Sequence, residues 1–120
     1  MVLTMKLYGI PNCDTVKKAR TWLASHAIEY EFHDYKKLGV DADLLQKWMK
    51  QHGWERIINR KGQTWRKLSD VEKTAVQDVK SALQLAIEKP SVIKRPAFEH
   101  HGQLILGFDP AEYETTLLGK

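Results

Sequence analysis

The residue with the most chemical promise is Cys13, at the end of the run Gly9-Ile10-Pro11-Asn12-Cys13. Thr4 to Tyr8 reads as a short buried strand, and Gly9, Pro11 and Asn12 break it. After the break, Val16, Ala19 and Leu23 recur with a helical period, so Cys13 sits where a strand hands over to a helix. A thiol there faces unpaired backbone N–H groups and the positive end of the helix dipole, and both favour the thiolate as nucleophile. Asp14 sets a negative charge beside it and opposes that effect. The competing reading of a lone cysteine is a small buried hydrophobe, but such residues belong on an apolar helix face and not in a Pro-Asn loop.

Cys13 is the only cysteine in 120 residues, and the run Cys13-Asp14-Thr15-Val16 lacks the second thiol of a Cys-x-x-Cys pair. The chain cannot close an internal disulfide. A redox cycle on Cys13 therefore passes through a mixed disulfide with another molecule, such as glutathione or a partner protein.

A second run, Val92-Ile93-Lys94-Arg95-Pro96-Ala97, places a proline directly before a strand. Taken alone it predicts a trans bond, since only about 5 to 6% of X-Pro bonds are cis. Other chemically capable residues group poorly. His100 and His101 are adjacent in a strand or turn and point to opposite faces, and His26, His33 and His52 have no ligand spacing, so no metal site is expected. Trp22, Trp48, Trp54 and Trp65 are too scattered to form a base-stacking platform and read as packing residues.

The elements that must position Cys13 follow from the patterning. Ile28, Tyr30 and Phe32 alternate with Glu29, Glu31 and His33, which predicts a strand parallel to the first in a compact βαβ unit. After a loop from Asp34 to Val40, Asp41 can cap a helix that turns Leu44, Leu45 and Trp48 inward and stops at Gly53. Ser69 with Glu72, and Thr74 with Gln77, each have capping-box spacing, and the second opens a helix with Val76, Val79, Leu83 and Ile87 on one face, ended by Pro90. Ala97–His100 and Gln103–Leu106, separated by His101-Gly102, predict an antiparallel hairpin. Asp109-Pro110 with Glu112 starts a last helix. The order is β-α-β, a helical insertion over about 41–89, then β-β-α. No repeat or linker divides it, so one α/β domain over 1–120 is expected.

Composition narrows the function classes. Hydrophobic residues make up 42% and charged ones 28%, with four Trp, four Tyr and three Phe spread along the chain, which excludes a disordered chain. The longest apolar runs are a few residues, far short of the roughly 20 of a membrane span. The segment from Met1 to Lys6 has no leader pattern, so a cytoplasmic location is expected, in keeping with one unpaired cysteine. Nineteen Lys and Arg against fifteen Asp and Glu give +4. Five basic residues lie between Arg56 and Lys67 with no acid, whereas Pro96 to Gly119 holds acids and no Lys or Arg. No helix-turn-helix pattern accompanies the basic run, so direct nucleic-acid binding is not expected.

Together, Tyr8 through Cys13, His33-Asp34-Tyr35-Lys36, Asn59-Arg60-Lys61-Gly62 through Trp65-Arg66-Lys67-Leu68, and Ile93-Lys94-Arg95-Pro96 resemble the arsenate reductase (ArsC)-like family, with its Spx/YffB branch the nearest match. The resemblance implies a thioredoxin-like fold, a four-stranded mixed sheet with an inserted helical subdomain, and a cis bond before Pro96. In the family's glutathione-coupled reductases a cysteine attacks the oxyanion and three arginines hold it. Cys13 matches the nucleophile, Arg95 the arginine before the proline, and Arg60 the middle one. The third has no match, since no Lys or Arg follows Arg95 until Lys120, and Asp14 would repel a multiply charged oxyanion. What the resemblance then implies is a glutathione-dependent thiol/disulfide reductase with no bound cofactor. Arg60 and Arg95 would pair with the carboxylates of glutathione, the Pro96 segment would bond its backbone, and Asn12 stands beside the thiol in the same substrate-binding set. Glutathione is the implied co-substrate, with a glutaredoxin-type protein as the other source of thiol. The alternative the family offers is an Spx-like transcriptional regulator that binds the α subunit of RNA polymerase, for which the run from Arg56 to Lys67, with Trp65 inside it, is the candidate surface.

Overall fold

A computed structural model describes residues 5–119, and the chain divides into two compact units. One is built from the described residues up to Asp34 together with those from Arg95 onward, and the other is Tyr35–Lys94.

In the first unit, β1 (Met5–Gly9) leads into α1 (Asp14–Ser25) and β2 (Glu31–Asp34). After the second unit the chain returns as β3 (Ala97–His100) and β4 (Gln103–Leu106). The sheet order is β2-β1-β3-β4, with β1 parallel to β2 and antiparallel to β3, and β3 antiparallel to β4. This is the mixed four-stranded sheet of a thioredoxin-like α/β fold. Thr4, expected to open the first strand, lies outside the described residues.

Register explains the core. Phe32, Leu7, Phe98 and Ile105 stand opposite one another across all four strands, so they form one row on one face. Against that row pack Val16, Ala19 and Leu23, the buried stripe of α1, and Tyr113 from the last helix, Pro110–Leu118. Tyr113 is fully buried, its ring meeting Trp22 and Phe108 edge-on, and its hydroxyl donates to Gly107 O at 3.4 Å. Burial, with the charge of Glu112 second, pushes its phenol up. Arg20 ties α1 to β2, stacking 4.2 Å over the Phe32 ring while its Nε donates to Tyr30 Oη at 3.0 Å.

The hairpin has the expected bounds. His101 at φ 46° and Gly102 at φ 80° supply the two positive φ values that a two-residue turn of this twist demands. The last helix starts as expected, with Asp109 accepting from Ala111 N and Pro110 in its first turn. The second strand is shorter than its alternation suggested. Ile28 N donates to Leu23 O and Ala27 takes φ 55°, so residues 27–30 turn the chain out of α1 before pairing begins at Glu31.

The second unit begins with α2 (Tyr35–Leu38), one helical turn where a loop was expected. Tyr35 is fully buried and its hydroxyl donates to Ile93 O at 2.9 Å. Next come α3 (Ala42–His52), capped by Asp41 through Leu44 N, and α4 (Trp54–Ile57) and α5 (Gln63–Arg66), short turns that the sequence did not announce. Two further helices, α6 (Asp70–Ala75) and α7 (Val79–Glu88), complete the unit, with a 3-10 turn over Pro90–Val92. The Ser69–Glu72 capping box forms as expected, and its backbone and side-chain bonds hold Glu72 below the usual carboxylate range. The expected Thr74–Gln77 box does not open α7. Asp78 does so, accepting from Ser81 N while the Ser81 hydroxyl accepts from Asp78 N. Bonds to Ser81 also hold the Asp78 carboxyl down. The start shifts the inward face to Ala82, Leu85 and Ala86, leaving Val79 and Ile87 exposed. Asn59 N donates to Val92 O and Lys94 N to Ile57 O, an antiparallel bridge that closes the unit where it ends. Among the described residues no helix is long and apolar enough to cross a membrane.

Candidate functional site

The Cys13 loop is shaped by how closely α1 approaches the end of β1. A Cβ on Gly9 would lie 2.8 Å from Val16 Cγ2 and 3.3 Å from Cγ1, so only glycine lets the strand end and the first turn of the helix meet. Ile10 O then accepts from Cys13 N at 3.1 Å, and Cys13 O from Lys17 N at 2.9 Å. Cys13 is thus the N-cap residue of α1, with extended backbone angles and no side-chain capping bond. Its thiol is not consumed in holding the helix end, unlike the Asp41, Ser69 and Asp78 side chains at the caps of α3, α6 and α7. Cys13 is half-buried and packs against the first unit's core, while Pro11 and Asn12 are exposed. The N–H groups of the first turn lack intrahelical partners and are available to an anion, with Asp14 as the opposing charge.

Arg95 and Pro96 reach the same end of the sheet by register. Tyr8 pairs with Ala97 in an antiparallel ladder, so the residues just before β3 lie beside the end of β1 from which the Cys13 loop departs. The Arg95–Pro96 bond is cis, as the family resemblance implied and local sequence alone did not. Pro96 is buried, its carbonyl accepting from Gly107 N at 2.8 Å, and Arg95 is half-buried. The parallel register adds a feature not foreseen: Tyr8 and His33 are paired across β1 and β2, with ring centroids 4.7 Å apart, one residue before Gly9. Only the pairing of two strands distant in sequence could have signalled it.

Arg60 belongs to the second unit. Asn59 Oδ1 accepts from Lys61 N at 3.2 Å, and Asn59 O from Gly62 N at 3.2 Å, a tight turn that presents Arg60 and Lys61 to solvent. A Cβ on Gly62 would lie 2.9 Å from Asn59 Nδ2, so the Asn59 amide would have to shift to admit one. The guanidinium of Arg60 stands 5.9 Å over the Trp54 ring. Cys13, Asn12, Arg95 and Pro96 are therefore brought together at one end of the first unit's sheet, and Arg60 is held on a turn of the second.

A thioredoxin-like sheet with a free cysteine capping its first helix and a cis-proline before its third strand defines a class of thiol-bearing α/β proteins. Within that class, the ArsC family matches residues 8–116, and this chain belongs to it. An uncharacterised protein of Haemophilus influenzae is 43% identical over 90% of this chain and 94% of its own length. The solved structure of a YffB protein is 47% identical, covers 95% of this chain and 99% of its own, and superposes with a TM-score of 0.90. An arsenate reductase related protein from Brucella melitensis, also 47% identical, covers 98% and 97% with a TM-score of 0.74. Among more distant relatives, the global transcriptional regulator Spx of Streptococcus pyogenes is 27% identical over 92% of this chain and 83% of its own. The chain is thus related both to arsenate reductase-like proteins and to Spx regulators, with YffB in its neighbourhood.

Proposed function

We propose that this chain is a cytoplasmic, glutathione-dependent thiol/disulfide reductase whose single nucleophile is Cys13. The observation that carries the reading is a half-buried thiol at a helix cap, free of any capping bond, at the end of the sheet that also receives Arg95 and Pro96. The Cys13 thiolate attacks one sulfur of a substrate disulfide. That S–S bond breaks, a new one forms to Cys13, and the second substrate sulfur leaves as a thiolate and takes up a proton. With no second cysteine to resolve the mixed disulfide, a glutathione thiolate attacks it and releases the substrate thiol. Cys13 now carries glutathione, a second glutathione frees it, and glutathione disulfide leaves with the two electrons the substrate gained. Asn12, Arg95 and Pro96 hold glutathione beside the thiol. A glutaredoxin-type protein would do the same resolving step.

Turnover of a peptide disulfide with glutathione, coupled to recycling of glutathione disulfide, tests the assignment. Cys13→Ser abolishes it, and Arg95→Ala raises KM for glutathione about tenfold, one charge-assisted hydrogen bond of ~1.4 kcal/mol. Full turnover by Cys13→Ser would refute the proposal. The similarity to Spx favours a second reading, a regulator that binds RNA polymerase α subunit through the run from Arg56 to Lys67. It forecasts capture of purified α subunit that survives Cys13→Ser and is lost when Arg60, Lys61, Arg66 and Lys67 become Glu.

A further inference from the structure

A groove of about 440 Å³ lies within the first unit, between α1 and the connection that follows β4. Its walls are Lys17, Lys18, Thr21, Trp22 and Ser25 on one side and Phe108 on the other. Trp22 and Phe108 are half-buried, each with its ring edge-on to Tyr113, and the His26 ring stacks 4.0 Å from that of Trp22, so the indole is fixed and its uncovered surface, with Phe108, gives an apolar floor. Lys17 and Lys18 are exposed at its rim, and among the described residues neither ammonium is in an ion pair. An apolar floor rimmed by two uncommitted cations complements a ligand that is both apolar and anionic.

Helix geometry links this groove to the thiol. Cys13, Lys17, Thr21 and Ser25 follow one another at intervals of four, a single row along α1 with about 6 Å of rise per step. The groove thus begins roughly one turn beyond Cys13 and runs away from it for about two more. An extended peptide advances about 3.4 Å per residue, so a chain with its cysteine at Cys13 would lay residues some two to five positions away in the groove.

We infer that this groove docks an acidic peptide segment with a large apolar side chain, the segment that flanks the cysteine of a protein substrate. The inference rests on the proposed thiol exchange at Cys13 for its biological setting, and the binding itself does not need the thiol. The apolar side chain lies on Trp22 and Phe108, and flanking carboxylates pair with Lys17 and Lys18. Substrate choice among protein mixed disulfides then depends on sequence beside the cysteine, while glutathione, being shorter, engages only the Cys13 end.

The test uses the full chain carrying Cys13→Ser and cysteine-free peptides, so that loss of thiol chemistry does not obscure binding. A nine-residue peptide of Glu and Asp around a central Phe is titrated while the Trp22 indole N–H signal is followed. Saturable shifts of that signal are expected, weakened at least tenfold by Lys17→Glu with Lys18→Glu, and weakened likewise when the peptide's Phe is replaced by Ser. Both lysines are exposed, so the charge reversals leave the fold intact, which the unchanged spectrum of Leu7 and Phe98 verifies. Equal affinity for a Lys-rich peptide, tighter binding of decanoate than of the peptide, or indole shifts that follow protein concentration without peptide would each overturn the inference. The last two would give the groove to a small amphiphile or to a second copy of the chain.

Discussion

Replacing Gly9 by Ala tests directly how the Cys13 loop is held. The added methyl would sit 2.8 Å from Val16 Cγ2, whereas carbon atoms rest at about 3.5 to 4.0 Å, so something must move by nearly an ångström. Val16 is fully buried against Leu7, Ala19 and Leu23 and has nowhere to retreat. Overpacking of this kind costs about 2 kcal/mol. At a urea m-value of about 1.3 kcal/mol/M for a chain of this size, the midpoint falls by roughly 1.5 M. Val16→Ala alone costs a similar ~2 kcal/mol through the cavity it leaves. In the double variant the new methyl enters the vacated space, so the loss is close to ~2 kcal/mol and not the ~4 kcal/mol of the sum. Urea melts of the four proteins, followed by tryptophan fluorescence with m-values compared, measure that coupling. A double variant that loses the full sum would show that Gly9 and Val16 do not meet, and that the approach of α1 to β1 has another cause.

Two further substitutions probe other contacts. Tyr35→Phe removes the buried hydroxyl that donates to Ile93 O and leaves that carbonyl unpaired, so it costs about 1 to 2 kcal/mol, read as a urea midpoint roughly 1 M lower; an unchanged midpoint would dismiss the bond as a stabilising contact. His100 carries a buried Nε2 with no hydrogen-bond partner among the described residues, and burial, with His101 second, lowers its pKa from the usual histidine value. The unfolded chain therefore takes up a proton at higher pH than the folded one, so this contribution to stability is complete above about pH 6.5 and is lost as pH falls through the lower folded value. Melts of wild type and His100→Gln between pH 7.5 and 5 should diverge on that side only, and parallel curves would show that His100 titrates alike in both states.

The hairpin and the helix caps were legible because their signals are local. His101-Gly102 requires positive φ at two adjacent positions, and Asp41, Ser69 and Asp109 each satisfy an N–H within three residues. Alternation from Ile28 to His33 was less informative, because it records which side chains face the core and not which backbone groups are paired. Ile28 and Tyr30 pack against the core without joining the ladder. The turns at Tyr35, Trp54 and Gln63 are four residues each, too short for any periodicity to register. At Thr74 two capping signals competed, and the carboxylate of Asp78 with the Ser81 hydroxyl prevailed over the weaker pair. At the site, Cys13 could be read from the loop that precedes it. The cis bond before Pro96 needed the family resemblance, and the Tyr8–His33 contact needed the sheet.

The clasp between Tyr35 and Ile93 bears on the order in which the chain folds. Leu7 must find Phe98 about ninety residues away before β1 can pair with β3, and most of that interval is the excursion Tyr35–Lys94. When the excursion has closed on itself, with Tyr35 bonded to Ile93 and Asn59 to Val92, its two ends already stand together. The loop left for the sheet to close shrinks to roughly a third, which lowers the entropic cost by about 1 kcal/mol and speeds pairing about fivefold. The helical excursion thereby serves the sheet kinetically, turning a distant pairing into a near one.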